Sequence, residues 1–203
     1  MATDCCKVEY GIGCAGDDCD TERQSGLRDL RAALKCYVLA TLETAWPDTY
    51  VIDIIMNTLA NNPTGGDDDS AFYSICTQEK TLAHTFEWTC AEDTNNKSFS
   101  ETITGQMPTR NSRAFTILKK WMCQEVIVIG KEAGQDGKWI IVGLGGGLRM
   151  NTVAGGTGAL TSDNNNTTLT FTGDSLVRSW LYVFDTDQAT TDILIDTISS
   201  NAV

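Results

Sequence analysis

Trp139-Ile140-Ile141-Val142-Gly143-Leu144 runs into Gly145-Gly146-Gly147-Leu148-Arg149-Met150, and a Gly/Asn-rich connection from Gly155 to Asn166 delivers Thr167-Thr168-Leu169-Thr170-Phe171-Thr172-Gly173. The first segment is a continuous apolar run, and the last alternates polar with apolar residues. Glycine and asparagine punctuate the chain between them. This is the pattern of β-strands joined by turns, and it lacks the histidines, cysteines and pocket carboxylates that catalysis needs. It points to a building block rather than an enzyme. Gly143-Leu144-Gly145-Gly146-Gly147 looks like a nucleotide-binding loop, but such a loop needs a helix directly after it to offer amides to phosphate. Arg149-Met150-Asn151-Thr152-Val153 reads as a strand instead, and no Gly-Lys-Ser/Thr accompanies it. The glycines are therefore read as a bend or bulge between strands.

Working outward, Glu125 to Lys131 is a strand rich in β-branched residues, Gly134 to Gly137 turns it, and Lys138 to Leu144 returns. Leu148 to Val153 and Thr167 to Thr172 extend the sheet. Upstream, Ser112 to Met122 has helical spacing that turns Phe115, Leu118 and either Ile117 or Trp121 inward and exposes Lys119-Lys120. Phe72 to Cys90 alternates around Leu82, His84, Phe86 and Trp88 as one long strand. Asp93 to Asn96 turns it into Ser98 to Gln106, where Phe99, Glu101, Ile103 and Gly105 share a face. Those two strands form an antiparallel hairpin. Near the start, Leu27, Leu30, Leu34, Val38 and Leu42 recur at three- and four-residue steps, which predicts a helix over Thr21 to Ala45. Cys36 to Leu42 also passes for a strand. Trp46-Pro47-Asp48 breaks the chain, Tyr50 to Leu59 suits either a short helix or a strand, and Asn61 to Ser70 is a loop. Ser175 to Phe184 and Asp192 to Ile198 read as terminal strands or a tail.

At 203 residues, the chain suits one domain or one domain with an arm. With 27 acidic against 15 basic residues and a net charge of -12, it lacks the clustered Lys and Arg that grip phosphates by counterion release. An acidic wall still permits a duplex to slide past. No stretch approaches the roughly 20 apolar residues of a membrane span. The first residues, Met1 to Lys7, have no apolar core of a secretory signal, so the chain is expected to fold where it is made. The Asn-x-Ser/Thr matches at Asn96, Asn165 and Asn166 read as turns.

Of the eight cysteines, Cys5, Cys6, Cys14 and Cys19 crowd the first twenty residues. Adjacent Cys5-Cys6 and the gaps that follow lack the C-x2-C pairs that present sulfurs to one zinc ion, so reduced thiols or late disulfides in an arm are expected instead. Cys36, Cys76, Cys90 and Cys123 are expected to be buried small hydrophobes. His84, the only histidine, reads as a satisfied polar side chain of a strand rather than a ligand or base, since no nucleophile can be set beside it. Asp67-Asp68-Asp69 and Asp185-Thr186-Asp187 lack the glycine and glutamate of a calcium loop and read as solvated loops. No catalytic, cofactor-binding or metal residue is assigned.

The order of hairpin (Phe72 to Gln106), helix (Ser112 to Met122), strand pair (Glu125 to Leu144) and Gly/Asn-rich return to Thr167 to Gly173 resembles the tail-tube-fold proteins of tailed bacteriophages. Gly137-Lys138-Trp139-Ile140-Ile141-Val142-Gly143, Gly147-Leu148, Thr157-Gly158 and Asp163-Asn164-Asn165 before a Thr-rich strand carry the likeness, over roughly residues 70 to 175. The resemblance implies a mainly β fold with some α: a sandwich or barrel of antiparallel strands, one packed helix and an N-terminal helical arm, divided into residues 1–70 and 71–203. It implies a virion structural protein, not an enzyme, made in the host cytoplasm. Such subunits join side by side into rings, hexameric or a multiple of six, beside other tail, neck or hub proteins, with DNA passing through unbound and no membrane involved. The competing expectation is a β-sandwich interaction module such as a capsid decoration or adhesion domain. If the hairpin lends its edge to a neighbour, proline at Thr102 or Thr104 is expected to block assembly.

Overall fold

A computed structural model describes residues 26–45, 48–56, 72–77, 81–90, 97–107, 112–133, 137–156, 166–175, 181–183 and 188–200. Among these residues the fold is mainly β with two α-helices. In chain order the elements are β1 (Leu27–Leu34), β2 (Val38–Ala45), β3 (Asp48–Met56), β4 (Phe72–Ser74), β5 (Ala83–Cys90), β6 (Lys97–Met107), α1 (Ser112–Trp121), β7 (Glu125–Glu132), β8 (Trp139–Val142), β9 (Leu148–Gly156), β10 (Asn166–Ser175), β11 (Leu181–Val183), α2 (Gln188–Thr197) and β12 (Ser199–Ser200). All the strands join one sheet, whose longest path runs β2-β3-β11-β8-β7-β9-β10-β6-β5. The ladders are antiparallel except for the short pairings of β11 with β3 and of β12 with β4.

β7 is the hub. One of its edges carries β1 from Leu27 to Leu34, and the other is shared, with β8 opposite Val128 to Lys131 and β9 opposite Glu125 and Val126. Two wings diverge from this fork, β8-β11-β3-β2 and β9-β10-β6-β5. The glycine run Gly143 to Gly147 is the turn at the fork, closed by the Gly147 amide donating to the Gly143 carbonyl at 2.8 Å. Gly143 and Gly147 have φ of 93° and 78°, a region costly for any residue with a Cβ. A Cβ on Gly147 would also lie 2.8 Å from the Glu125 Cβ. A strand follows the turn, as a bend between strands requires and a phosphate-binding loop does not.

Successive residues of β7 feed two cores. Val126 and Val128 point into an inner core with Ile103, Met150, Leu169, Phe171 and, from α1, Leu118 and Trp121. Ile127 and Ile129 join an outer core with Val51, Ile54, Trp139, Ile141 and, from α2, Ile195. Burial on both faces explains why β7 and β8 read as unbroken apolar runs.

Four sequence expectations are corrected. The helix over Thr21 to Ala45 is not formed: β1 and β2 occupy residues 27–45, joined by one 3-10 turn at Lys35–Tyr37, while 21–25 lie outside the described residues. The reason lies in the register of β1 on β7, which shifts between Leu27 and Asp29. That bulge puts Leu27 on the same face as Leu30 and Ala32, and the resulting spacing of three then two imitates a helical stripe. The long strand over Phe72 to Cys90 is two strands, because the chain leaves β1 after β4 and reaches β6 only at Ala83. Asp192 to Ile198 falls largely in α2, whose buried Thr191 and Ile195 lie four residues apart on one helical face.

The fourth correction concerns the dispersed cysteines. Cys36, Cys76, Cys90 and Cys123 are all exposed free thiols, not core residues. Cys36 sits in the 3-10 turn, Cys76 follows β4, Cys90 ends β5 and Cys123 caps α1 with φ of 62°. Each lies in a turn or at the end of an element, and only Cys76 directly follows a buried apolar residue, Ile75.

Salt bridges and hydrogen bonds clamp α2 to the sheet. Asp192 accepts from Lys131 Nζ at 2.7 and 2.8 Å and from Trp139 Nε1 at 2.5 Å. Asp196, one turn further, pairs with Arg31 at 2.8 Å, and Arg31 also donates to the Ile195 carbonyl and the Ser199 hydroxyl. Two acids at i and i+4 thus meet two cations that β7 and β1 present side by side.

Candidate assembly surface

The distal wing, β9-β10-β6-β5, presents two contrasting faces, set by the two-residue alternation of its strands. On the inner face, register aligns Phe171 with Ile103 and Ile103 with His84, then Gly173 with Glu101 and Glu101 with Phe86, then Ser175 with Phe99 and Phe99 with Trp88. Ile103 and Phe171 are sealed in the inner core. The same face then runs on past the core to β5, where Phe86 is 51% and Trp88 62% exposed.

These rings pack on each other. His84 and Phe86 lie 5.9 Å apart between centroids, Phe86 and Trp88 5.7 Å, and Trp88 meets Phe99 edge-on at 5.5 Å. Tilted and edge-on rings offer no flat platform for a sugar or base to stack upon, but they suit burial against another protein surface. Beneath them lies Glu101, only 3% exposed, with its Oε1 3.7 Å from His84 Nε2. This carboxylate could not be paired with His84 from the sequence, because their proximity depends on the β5–β6 register.

The opposite face of the wing is polar along its whole length. Thr85, Thr102 and Thr172 are aligned across three strands, and Thr104, Thr170 and Thr152 form a second row. Their polar groups are engaged locally: Thr85 Oγ1 donates to the Thr102 carbonyl at 3.4 Å, Asn151 Nδ2 donates to Thr172 Oγ1 at 2.7 Å, and the Thr89 and Ser98 hydroxyls pair at 2.5 Å. The result is a hydroxyl-rich sheet surface that also carries the exposed acids Glu87 and Asp174, aligned through Ser100.

Among the described residues β5 ends the longest sheet path, whereas β6 is flanked by both β5 and β10. Thr102 is opposite Thr85 on one side and Thr172 on the other, so it is an interior position. The expectation that proline at Thr102 or Thr104 would probe an edge is corrected accordingly; among the described residues the end strand of this wing is β5.

The remaining sequence candidates do not converge. The glycine turn lies at the fork, near the mixed-charge group in which Glu125 pairs with Lys35 at 3.4 Å and Arg149 at 3.3 Å. The hydrogen bond from Arg149, then the charge of Lys35, holds the Glu125 carboxyl below its usual value. Burial raises the Cys36 thiol. Among the described residues no group of three or more His, Cys, Asp or Glu is placed to hold a metal ion, and no helix is long and apolar enough to cross a membrane. Cys5, Cys6, Cys14 and Cys19, Asp67 to Asp69 and Asp185 to Asp187 lie outside the described residues. No family model, curated protein or solved structure matches the chain.

Proposed function

We propose that the protein is a structural subunit that self-assembles into a ring or tube, as a tail, neck or hub component of a tailed bacteriophage virion through which DNA passes. The observation that carries this reading is the outer end of the distal wing, the last strand of the described sheet path, on which the apolar core face continues to Phe86 and Trp88, 51% and 62% exposed. An edge strand with exposed aromatics is a template for another chain, and a closed ring satisfies such edges without open-ended aggregation.

The polar face suits a channel wall. Rows of threonine offer a duplex neither the cations that would hold phosphates nor the apolar area that would hold bases. A net charge of -12 favours passage over retention. The phage assignment rests on the sequence resemblance over roughly residues 70 to 175; the edge and its aromatics support self-assembly more generally.

The experiment is sedimentation of the purified chain over a wide concentration range, with negative-stain imaging of any large species. Closed rings with a central hole are expected, with no retention of duplex DNA near physiological salt. A chain that stays monomeric at high concentration would favour the other reading, a β-sandwich decoration or adhesion module, for which the aromatic end would be a docking site for a different protein.

A further inference from the structure

We infer that the outer face of β1, β7 and β8 is a helix-docking groove that takes α2 from a second copy of the chain, so that two subunits exchange this helix. Exchange of this kind needs no ring, since β5 and the ends of the sheet take no part in it. Ile127 and Ile129 of β7, with Trp139 and Ile141 of β8, give the groove an apolar floor within the outer core. Two cations stand on it, Arg31 and Lys131, whose side chains are only 12% and 13% exposed. Both lie against the Trp139 ring, 5.0 and 5.3 Å from its centroid. Charges held on an aromatic face with little water around them discriminate sharply between an acidic and a basic helix.

α2 displays what the groove accepts. Thr191 and Ile195, four residues apart, are fully buried, and the residue after each is an aspartate that meets a cation: Asp192 lies 2.7 Å from Lys131 and Asp196 2.8 Å from Arg31. The helix, Gln188-Ala189-Thr190-Thr191-Asp192-Ile193-Leu194-Ile195-Asp196-Thr197, carries no basic residue. Ile195 is its one fully buried apolar side chain among the described residues, with Leu194 and Ile198 partly buried beside it. The ion pairs therefore carry a large share of the docking. A helix of this length is marginal in water by itself, so α2 folds onto the groove and leaves it as a unit, at less cost than opening the sheet. β12 pairs with β4 over two residues only and moves with it. A second copy brings the same Thr191, Asp192, Ile195 and Asp196, and it is the occupant whose fit the structure displays. α2 follows β11 after four residues, 184–187. A helix docked on another chain keeps every contact that it makes on its own, which makes exchange of an identical element a low-cost route to a dimer.

The test reverses charge in two full-length variants. Asp192→Lys with Asp196→Lys reverses the helix, and Arg31→Asp with Lys131→Asp reverses the groove. In either variant alone like charges face each other within the chain and between copies, so residues 188–200 should lose their protection from amide exchange while residues 125–132 keep theirs. Mixed in equal amounts, each helix finds a groove of opposite charge on the other chain. Protection of residues 188–200 should then return, and native mass spectrometry should show the two variants paired one to one. Protection that does not return on mixing would overturn the exchange. Protection retained by the helix variant alone would overturn the assignment of docking to the two ion pairs. If circular dichroism shows the groove variant unfolded, the helix variant decides by itself, because its altered side chains are 38% and 70% exposed in the wild type. A synthetic peptide of residues 186–200 should bind its vacated groove roughly tenfold or more tightly than a peptide carrying the same two lysine substitutions. Equal binding of the two peptides, or binding of neither, would overturn the proposal.

Discussion

The two wings that diverge from β7 are built from similar strands and differ in what lies on them. The proximal wing, β8-β11-β3-β2, is wedged between cores along β8 and β11, where Val142 and Ile140 face inward while Trp139, Ile141 and Val183 are covered on the other side together with Ile195 of α2; among the described residues only its last strand, β2, leaves large apolar side chains exposed, Leu39 and Leu42. The distal wing is covered near the fork and bare at its end. Its inner face passes from Phe171, fully buried, to Trp88, 62% exposed, while its other face is lined with threonine. Comparable apolar side chains are therefore sealed in the core at one place and more than half exposed at another. The difference teaches that burial within the subunit, more than strand pattern, separates the part that folds the chain from the part that would join chains.

That comparison gives a graded set of expectations. Phe171→Ala opens a cavity in the inner core where the distal wing leaves the fork, and about 3–5 kcal/mol of stability should be lost in chemical denaturation. A loss below about 1 kcal/mol would mean that the wing is not anchored through this face. Asp192→Ala removes the acceptor shared by Lys131 and Trp139 and strips α2 from one of its two cations. Loss of a charged hydrogen-bond partner to the part-buried Lys131 should cost roughly 2 kcal/mol, read by the same method. Arg31 still holds Asp196, so α2 should loosen without global unfolding, seen as faster amide exchange in residues 188–197 alone.

The smallest effect belongs to the fork. Glu125 is held below its usual range by Arg149 and Lys35, so the folded state favours the carboxylate. Because its folded pKa is depressed, its contribution is complete above the unfolded pKa and is lost as pH falls through the folded one. Glu125→Gln should therefore cost roughly 0.5 kcal/mol or less at neutral pH, since the pair is exposed and screened, and the variant should match the wild type in acid. An equal deficit at acidic and neutral pH would assign the loss to packing instead.

Much of the distal wing and the fork was legible in the sequence. Residues such as Ile103, Leu169 and Phe171 alternate cleanly with threonine because one face of their strands is solvated, and that contrast is what period-two reading detects. The glycine turn was legible for a related reason: Gly143 and Gly147 adopt backbone angles that other residues resist. What failed was the reading of buried or bulged segments. β1 lies between β7 and β4, with Ala32 facing one core and Ala33 the other, and its bulge near Arg28 breaks the phase. The charged residues of β1, Arg28, Asp29 and Arg31, therefore do not alternate regularly with its buried ones. The candidate surface was legible only in part, since the alternation singled out Phe86 and Trp88 but could not tell that the inner core stops short of them. Their exposure depends on which residues the rest of the chain brings to cover the sheet, and that information is tertiary.

The central claim is that β5 is an edge awaiting a neighbour, and amide hydrogen exchange measured on wild-type protein at low and high concentration tests it most directly. Residues 83–90 should exchange readily in dilute protein and gain protection as assembly proceeds, while residues 139–142 stay protected throughout. Exchange at residues 83–90 that is already slow in the dilute monomer, or that stays fast while the mass rises, would contradict the account.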